Sequence, residues 1–230
     1  MIQSVQLNDI TIDVTLKNIK NIHLSVYPNG QVKISAPLHI NQETLRTFLI
    51  SKLAWIKQKQ AKFQSQQRET PRECINRESH YVWGNRYLLK VIEKNAPPNI
   101  VLTPTEMLFQ IRPATSQEVK QAILDEWYRQ EVKNKLPALL EKWQPIMGVR
   151  VKKFFVQKMK TRWGSCNYKV SNVRFNSQLA KKPIDCLEYV VVHELAHLLE
   201  PSHNARFHSL MNQFLPNWKL IKAELNRLPI

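Results

Sequence analysis

Residues 183–201 constrain this chain more than any other stretch. Pro183 suits the first turn of a helix. Leu187, Tyr189, Val190, Val191, Val192, Leu195 and Leu198 then form an apolar run of helical length. Pro201 ends it, because proline cannot continue a helix without losing a hydrogen bond. Into this buried helix the sequence sets His193-Glu194-Leu195-Ala196-His197. Side chains four apart sit one above the other on one helix face, so His193 and His197 aim at one point. Glu194 is offset by about 100° and lies beside that point. Two imidazoles and a carboxylate inside a buried helix must each find a partner. A zinc ion meets that demand: the histidines hold Zn²⁺ while Glu194 works on a metal-bound water. The competing reading is a pair of satisfied core histidines with no metal.

Catalytic zinc takes three protein ligands and leaves the fourth position to water. His203 is the leading third ligand, because Pro201 forces a turn and Ser202-His203-Asn204 lies where the chain folds back. Glu200, one turn beyond His197, is the rival; three ligands from one straight helix converge poorly. His208 and Glu224, further along, are the remaining candidates.

Composition bounds the setting. With 230 residues, 43% of them hydrophobic and six of them Trp, the chain can bury a full core in one or two domains. Its formal net charge of +16 predicts attraction to polyanions, chiefly nucleic acid. Arg150, Lys152, Lys153, Lys158, Lys160 and Arg162 lead into the metal-site region, which favours acidic or nucleic-acid-bound substrates. A merely solvated basic surface is the plainer account. Three widely spaced cysteines, Cys74, Cys166 and Cys186, give no paired framework and point to a reducing cytoplasm. Neither a secretory pattern nor an apolar stretch of the ~20 residues needed to span a membrane is present, so no membrane partner is expected.

Along the chain, the first 36 residues alternate as strands, with Pro28-Asn29-Gly30 as a turn. A helix follows from about Gln42, capped by Asn41, with Leu45, Phe48, Leu49, Leu53 and Ile56 on one face. Gln64 to Ser79 reads as a polar linker or exposed hairpin, and strands are expected over 87–92, 100–102 and 107–111. A long amphipathic helix starts at Ser116, which Pro137 should kink or interrupt. Strands near 149–156 and 170–175 precede the metal helix, and a last helix is expected over about 205–225. No internal repeat is evident. The expected fold is α+β: a sheet-rich N-terminal region with one helix (1–115), then a metallopeptidase domain (116–230) whose metal helix lies against a small twisted sheet.

The strings Lys160-Thr161-Arg162-Trp163-Gly164-Ser165-Cys166, Asn176, Tyr189 to His197 and His203 to Phe207 together resemble the YgjP-like zinc metallopeptidases, which are related in their active site to SprT-like proteases. Ala36-Pro37 and Trp55-Ile56 extend the resemblance over nearly the whole chain. Two features depart from the family pattern: no glycine between Asn167 and Ser171, and His208 where the family carries Trp. The latter leaves His208 open to a role in the metal's outer shell. The resemblance implies a zincin-like C-terminal half, Zn²⁺ bound by His193, His197 and His203, and Glu194 as general base.

The expected function is therefore a zinc-dependent peptidase acting on protein or peptide substrates, with nucleic-acid-associated proteins as a candidate class. Substrate is expected along the edge of the 170–175 strand, with Asn176 bonding its backbone. Arg162 is expected to stabilise the oxyanion or hold a substrate carboxylate; its plainer role is an ion pair with Glu188 or Asp185. The alternative is a nucleic-acid-binding protein with a structural zinc site, which would show four protein ligands.

Overall fold

The computed structural model describes residues 2–7, 9–27, 29–65 and 73–227. Residues 66–72 of the expected 64–79 linker, and Pro28 of the expected turn, lie outside them. The chain forms two compact units, 1–67 and 68–230. The expected boundary at 115/116 falls inside the second unit. There Met107, Phe109 and Ile111, on one side of it, share a core with Leu124, Tyr128 and Val132 on the other.

The first unit holds β1 (Ile2–Leu7), β2 (Ile10–Lys17), β3 (His23–Val26), β4 (Val32–Pro37) and α1 (Gln42–Ser65). Its sheet runs β1-β2-β4-β3, two antiparallel hairpins joined by the parallel β2–β4 pair. Period-two alternation puts Ile12, Val14, Ile34 and Ala36 on the inner face with Leu45, Leu49 and Ile56 of α1. Each fully buried Val, Leu or Ile side chain contributes roughly 1.5–3 kcal/mol. Asn41 caps α1, its Oδ1 accepting from Glu43 N–H at 2.9 Å.

The second unit begins with the same topology. Its strands β5 (Ser79–Val82), β6 (Asn85–Glu93), β7 (Asn99–Leu102) and β8 (Glu106–Ile111) form a sheet ordered β5-β6-β8-β7, again two hairpins joined by a parallel pair, and α2 (Gln117–Met147) follows. Each unit thus contains a four-strand, one-helix module, a repeat of topology that no sequence periodicity reveals.

Helix α2 runs unbroken through Pro137 and Pro145, contrary to the expected interruption. Proline inside a helix costs about 3 kcal/mol, and buried Leu136 and Leu140 on either side of Pro137 hold the helix against the core. Gly148 closes α2 in the left-handed region (φ 65). Then come β9 (Lys153–Gln157), β10 (Gly164–Asn167), β11 (Asn172–Asn176), a 3₁₀ turn (Ser177–Lys181) and α3 (Ile184–Leu199). The expected last helix is two, α4 (Ala205–Phe214) and α5 (Trp218–Arg227), because Pro216 stands between them.

The three-stranded sheet is ordered β10-β11-β9, with β10 antiparallel and β9 parallel to β11. The strand expected to offer its edge to substrate is therefore the central one. Its backbone is paired on both sides, and the exposed edge beside α3 belongs to β10. Among the described residues no helix is long and apolar enough to cross a membrane.

Candidate metal centre

Helix α3 owes its place to a face that is apolar almost all round: Leu187, Val191, Val192, Leu195 and Ala196 are fully buried. It stops at Glu200, whose backbone leaves the helical region one residue before Pro201. The chain turns, and Asn204 opens α4 by accepting from Phe207 N–H at 3.0 Å. That turn brings His203 back to His193 and His197. The ligand atoms of these three lie within 4.8 Å of one another, and among the described residues they form the one group able to hold a metal. His193 Nε2 and His203 Nε2 are 3.1 Å apart. Tetrahedral zinc with Zn–N of about 2.0–2.1 Å needs nitrogens roughly 3.3 Å apart.

Glu200, the rival ligand, turns away, its Oε1 accepting from Ser202 N–H at 3.2 Å. Neither His208 nor Glu224 joins the cluster. His208 stacks on Trp218, ring centres 5.6 Å apart. The side chain of Phe207, 1% exposed, packs against all three imidazoles at 4.7–5.0 Å and forms the apolar floor behind them. In sequence Phe207 closes the His203 to Phe207 string; its packing against the three imidazoles becomes evident only with the turn in place.

The protonation states suit a cation. Burial, then the charges of His197, His203, Lys222 and His208, push His193 down to about 3. Burial also lowers His197 and His203. All three are thus neutral near pH 7, as ligation demands. His197 Nδ1 lies 3.1 Å from Glu200 O, so it carries the proton and leaves Nε2 with the free lone pair. His193 Nδ1 is buried without a partner.

Glu194 is 4% exposed, and burial lifts its carboxyl to about 8 against the opposing pull of Arg162. Its Oε2 is buried and unpartnered. Three neutral imidazoles around one point, with an orphaned carboxylate oxygen on the same helix, are a donor set that fits a divalent zinc-type ion.

These groups belong to an open groove of about 580 Å³, whose lining includes the 162–166 segment, His203 and Lys222. Gly164 makes the wall fit, for a Cβ there would stand 2.5 Å from Glu194 Oε1. Arg162 lines the groove and forms no ion pair among the described residues. Glu188, its suggested partner, is taken by Lys142 (2.7 Å) and Trp143 Nε1 (2.8 Å). Asn176 is 3% exposed and is not part of the groove wall. Its Oδ1 accepts from Met159 N–H (3.2 Å) and Gln178 N–H (3.1 Å), and its Nδ2 donates to Met159 O (2.9 Å) and Arg162 O (2.8 Å). The amide thus ties the segment that carries Arg162 to the end of β11.

Comparison with known proteins bears on the family of the chain. Two solved structures are similar: the metallopeptidase zymogen abylysin of Pyrococcus abyssi (20% identity, TM-score 0.36, covering 41% of this chain and 98% of that one) and the metallopeptidase zymogen jannalysin of Methanocaldococcus jannaschii (17%, 0.34, 41% and 92%). No curated protein matches. The YgjP-like metallopeptidase domain matches residues 20–228, nearly the full length, and the chain belongs to that family.

Proposed function

We propose that this metallopeptidase is a zinc enzyme in which His193, His197 and His203 hold the ion and Glu194 is the general base. The observation that carries the reading is the convergence of three neutral imidazoles beside a buried carboxylate at the floor of an open groove. When bound, zinc polarises a peptide carbonyl and brings a water's pKa to about 7. Glu194, in its ionised form, would accept a proton from the attacking water and pass it to the leaving amine. His197 is held in one tautomer by Glu200 O. The free edge of β10 offers backbone N–H and C=O groups to an extended peptide, which pairs without strong sequence demands. Arg162, unpaired on the groove wall, faces the substrate or its developing oxyanion, and Asn176 serves by holding the Arg162 backbone. Helix α3 beside the β10-β11-β9 sheet is read as a zincin-like arrangement.

Three gathered donors favour an open fourth position over the closed four-ligand site that a structural zinc requires. The decisive variant is Glu194→Gln. It should keep one zinc per chain and lose nearly all hydrolysis of an unfolded protein substrate. Full activity in the zinc-loaded variant would remove Glu194 from the role of base.

The nucleic-acid association is supported by a particular face. On the outer side of the sheet, Arg174 stacks 5.5 Å from the ring centre of Phe155, which is 41% exposed, with Lys153 on the same side of β9. Aromatic and guanidinium surfaces in a basic setting take stacked bases. Added single-stranded DNA should stimulate cleavage of a DNA-bound protein in wild type and not in Phe155→Ala.

A further inference from the structure

We infer that the groove selects peptides carrying acidic side chains beside the scissile bond, gripping their carboxylates with Arg162 and Lys222 of its wall. This rests on the peptidase reading above. Lys222 comes from α5, far in sequence from the metal motif, and it lines the same groove as Arg162. Both side chains are exposed, so their charges are open to a chain lying in the groove. Neither forms an ion pair among the described residues.

The groove wall holds no acid other than Glu194, itself buried at the floor. Glu200, whose charge reaches His197, directs a carboxylate oxygen to Ser202 N–H instead. Lys222 also lies 5.4 Å over the Trp218 ring, which shapes its stem without neutralising its charge. An extended chain crossing this floor meets two cations, and a lysine or arginine beside the scissile bond is repelled by both. An exposed ion pair is worth up to roughly fivefold in affinity, so two of them separate acidic from basic peptides by about tenfold or more.

The test uses fluorescent peptides of one scaffold with Asp, Ala or Lys on both sides of the central bond. Binding is read by anisotropy on zinc-loaded Glu194→Gln protein, and cleavage on the wild type. Affinity should fall from Asp through Ala to Lys, and the spread should collapse in 0.5 M salt, the Debye length then falling to about 4 Å. Adding Lys222→Glu should abolish or invert the order. Adding Lys135→Glu, a charge-matched change on exposed α2 surface outside the groove, should not. Equal binding of the three peptides overturns the inference. So does an equal loss in both charge-reversed proteins, which would assign the preference to net charge alone. Binding decides the selectivity and wild-type turnover decides the peptidase reading, so acid-selective binding without any cleavage would sink the latter alone.

Discussion

Gly164 and Glu194 share space that admits no further carbon: a Cβ on Gly164 would stand 2.5 Å from Glu194 Oε1, 2.8 Å from its Cγ and 2.9 Å from its Cδ. The glycine belongs to the edge strand and the glutamate to α3, so the close approach fixes where the carboxylate lies relative to that edge. Neither backbone can retreat easily, since β10 is paired to β11 and α3 is buried along its length. Gly164→Ala should therefore move the Glu194 side chain instead. Overpacking of this kind costs roughly 1–3 kcal/mol, and misplacing a general base costs on the order of a hundredfold in turnover. Metal analysis, a thermal melt and a hydrolysis assay would check this. The zinc content should stay at the wild-type level while activity falls. Unchanged activity would show that the carboxylate's position is not critical.

The Asn176 amide makes a comparable prediction for the other wall. Its two N–H bonds reach Met159 O and Arg162 O, and its oxygen serves two backbone N–H groups. Asn176→Asp keeps the acceptor and replaces the donor by an oxygen facing two carbonyls. Leaving buried acceptors unpaired costs about 1–3 kcal/mol each, so the loss of two should lower the urea midpoint by an amount equivalent to about 2–6 kcal/mol. Catalytic efficiency should fall as well, because the segment bearing Arg162 loses its anchor. A variant with the wild-type midpoint would show that the anchor is dispensable.

The metal helix was legible because three local signals agree there: an apolar run of helical length, His193 and His197 one turn apart, and a proline stop. His203 followed from the turn that Pro201 imposes, and the structure brings it to the other two. What was not legible depends on long-range pairing. The parallel β9–β11 match makes 172–176 a central strand and leaves the edge to 164–167, a segment with no strand-like alternation of its own. The four-strand, one-helix repeat is invisible for the same reason, since topology repeats here while side chains do not. A helix start at 116 reads as a domain start in sequence, where the shared core of Phe109 and Tyr128 cannot be seen. Lys222 carries no motif and is found only by where α5 lies.

The cysteines give a prediction with a pH sign. Burial raises Cys74, pushes Cys166 up to about 11 and Cys186 up to about 12, from an ordinary 9.0. Only the thiolate attacks alkylating agents. At pH 8 Cys166, half-buried on the groove wall, should react about a hundredfold more slowly than a free thiol on pKa grounds, while Cys74 and Cys186 stay unmodified until unfolding. The folded state holds Cys186 neutral to a higher pH than the unfolded chain does. The resulting stability is full below pH 9 and is lost as pH rises through the folded value. Mass spectrometry after timed iodoacetamide treatment would check the order. Rapid labelling of Cys186 in the native protein would contradict the packing described for α3.

Metal removal should cost stability, because the three ligands tie the end of α3 to the turn before α4 and no preformed site survives unfolding. An ion present at about a thousand times its dissociation constant stabilises the fold by about 4 kcal/mol. For a domain of this size each kcal/mol moves the melting temperature by roughly 2–4 °C. Chelation should therefore lower the wild-type transition by about 10 °C, and zinc should restore it. Glu194→Gln should show the full shift, since it removes no ligand. His203→Ala should show a smaller shift, since two imidazoles from one helical turn hold the ion more weakly. A wild-type transition indifferent to verified zinc removal would mean that the three histidines converge without contributing to the fold. An equally large shift in His203→Ala would mean that the third ligand comes from elsewhere.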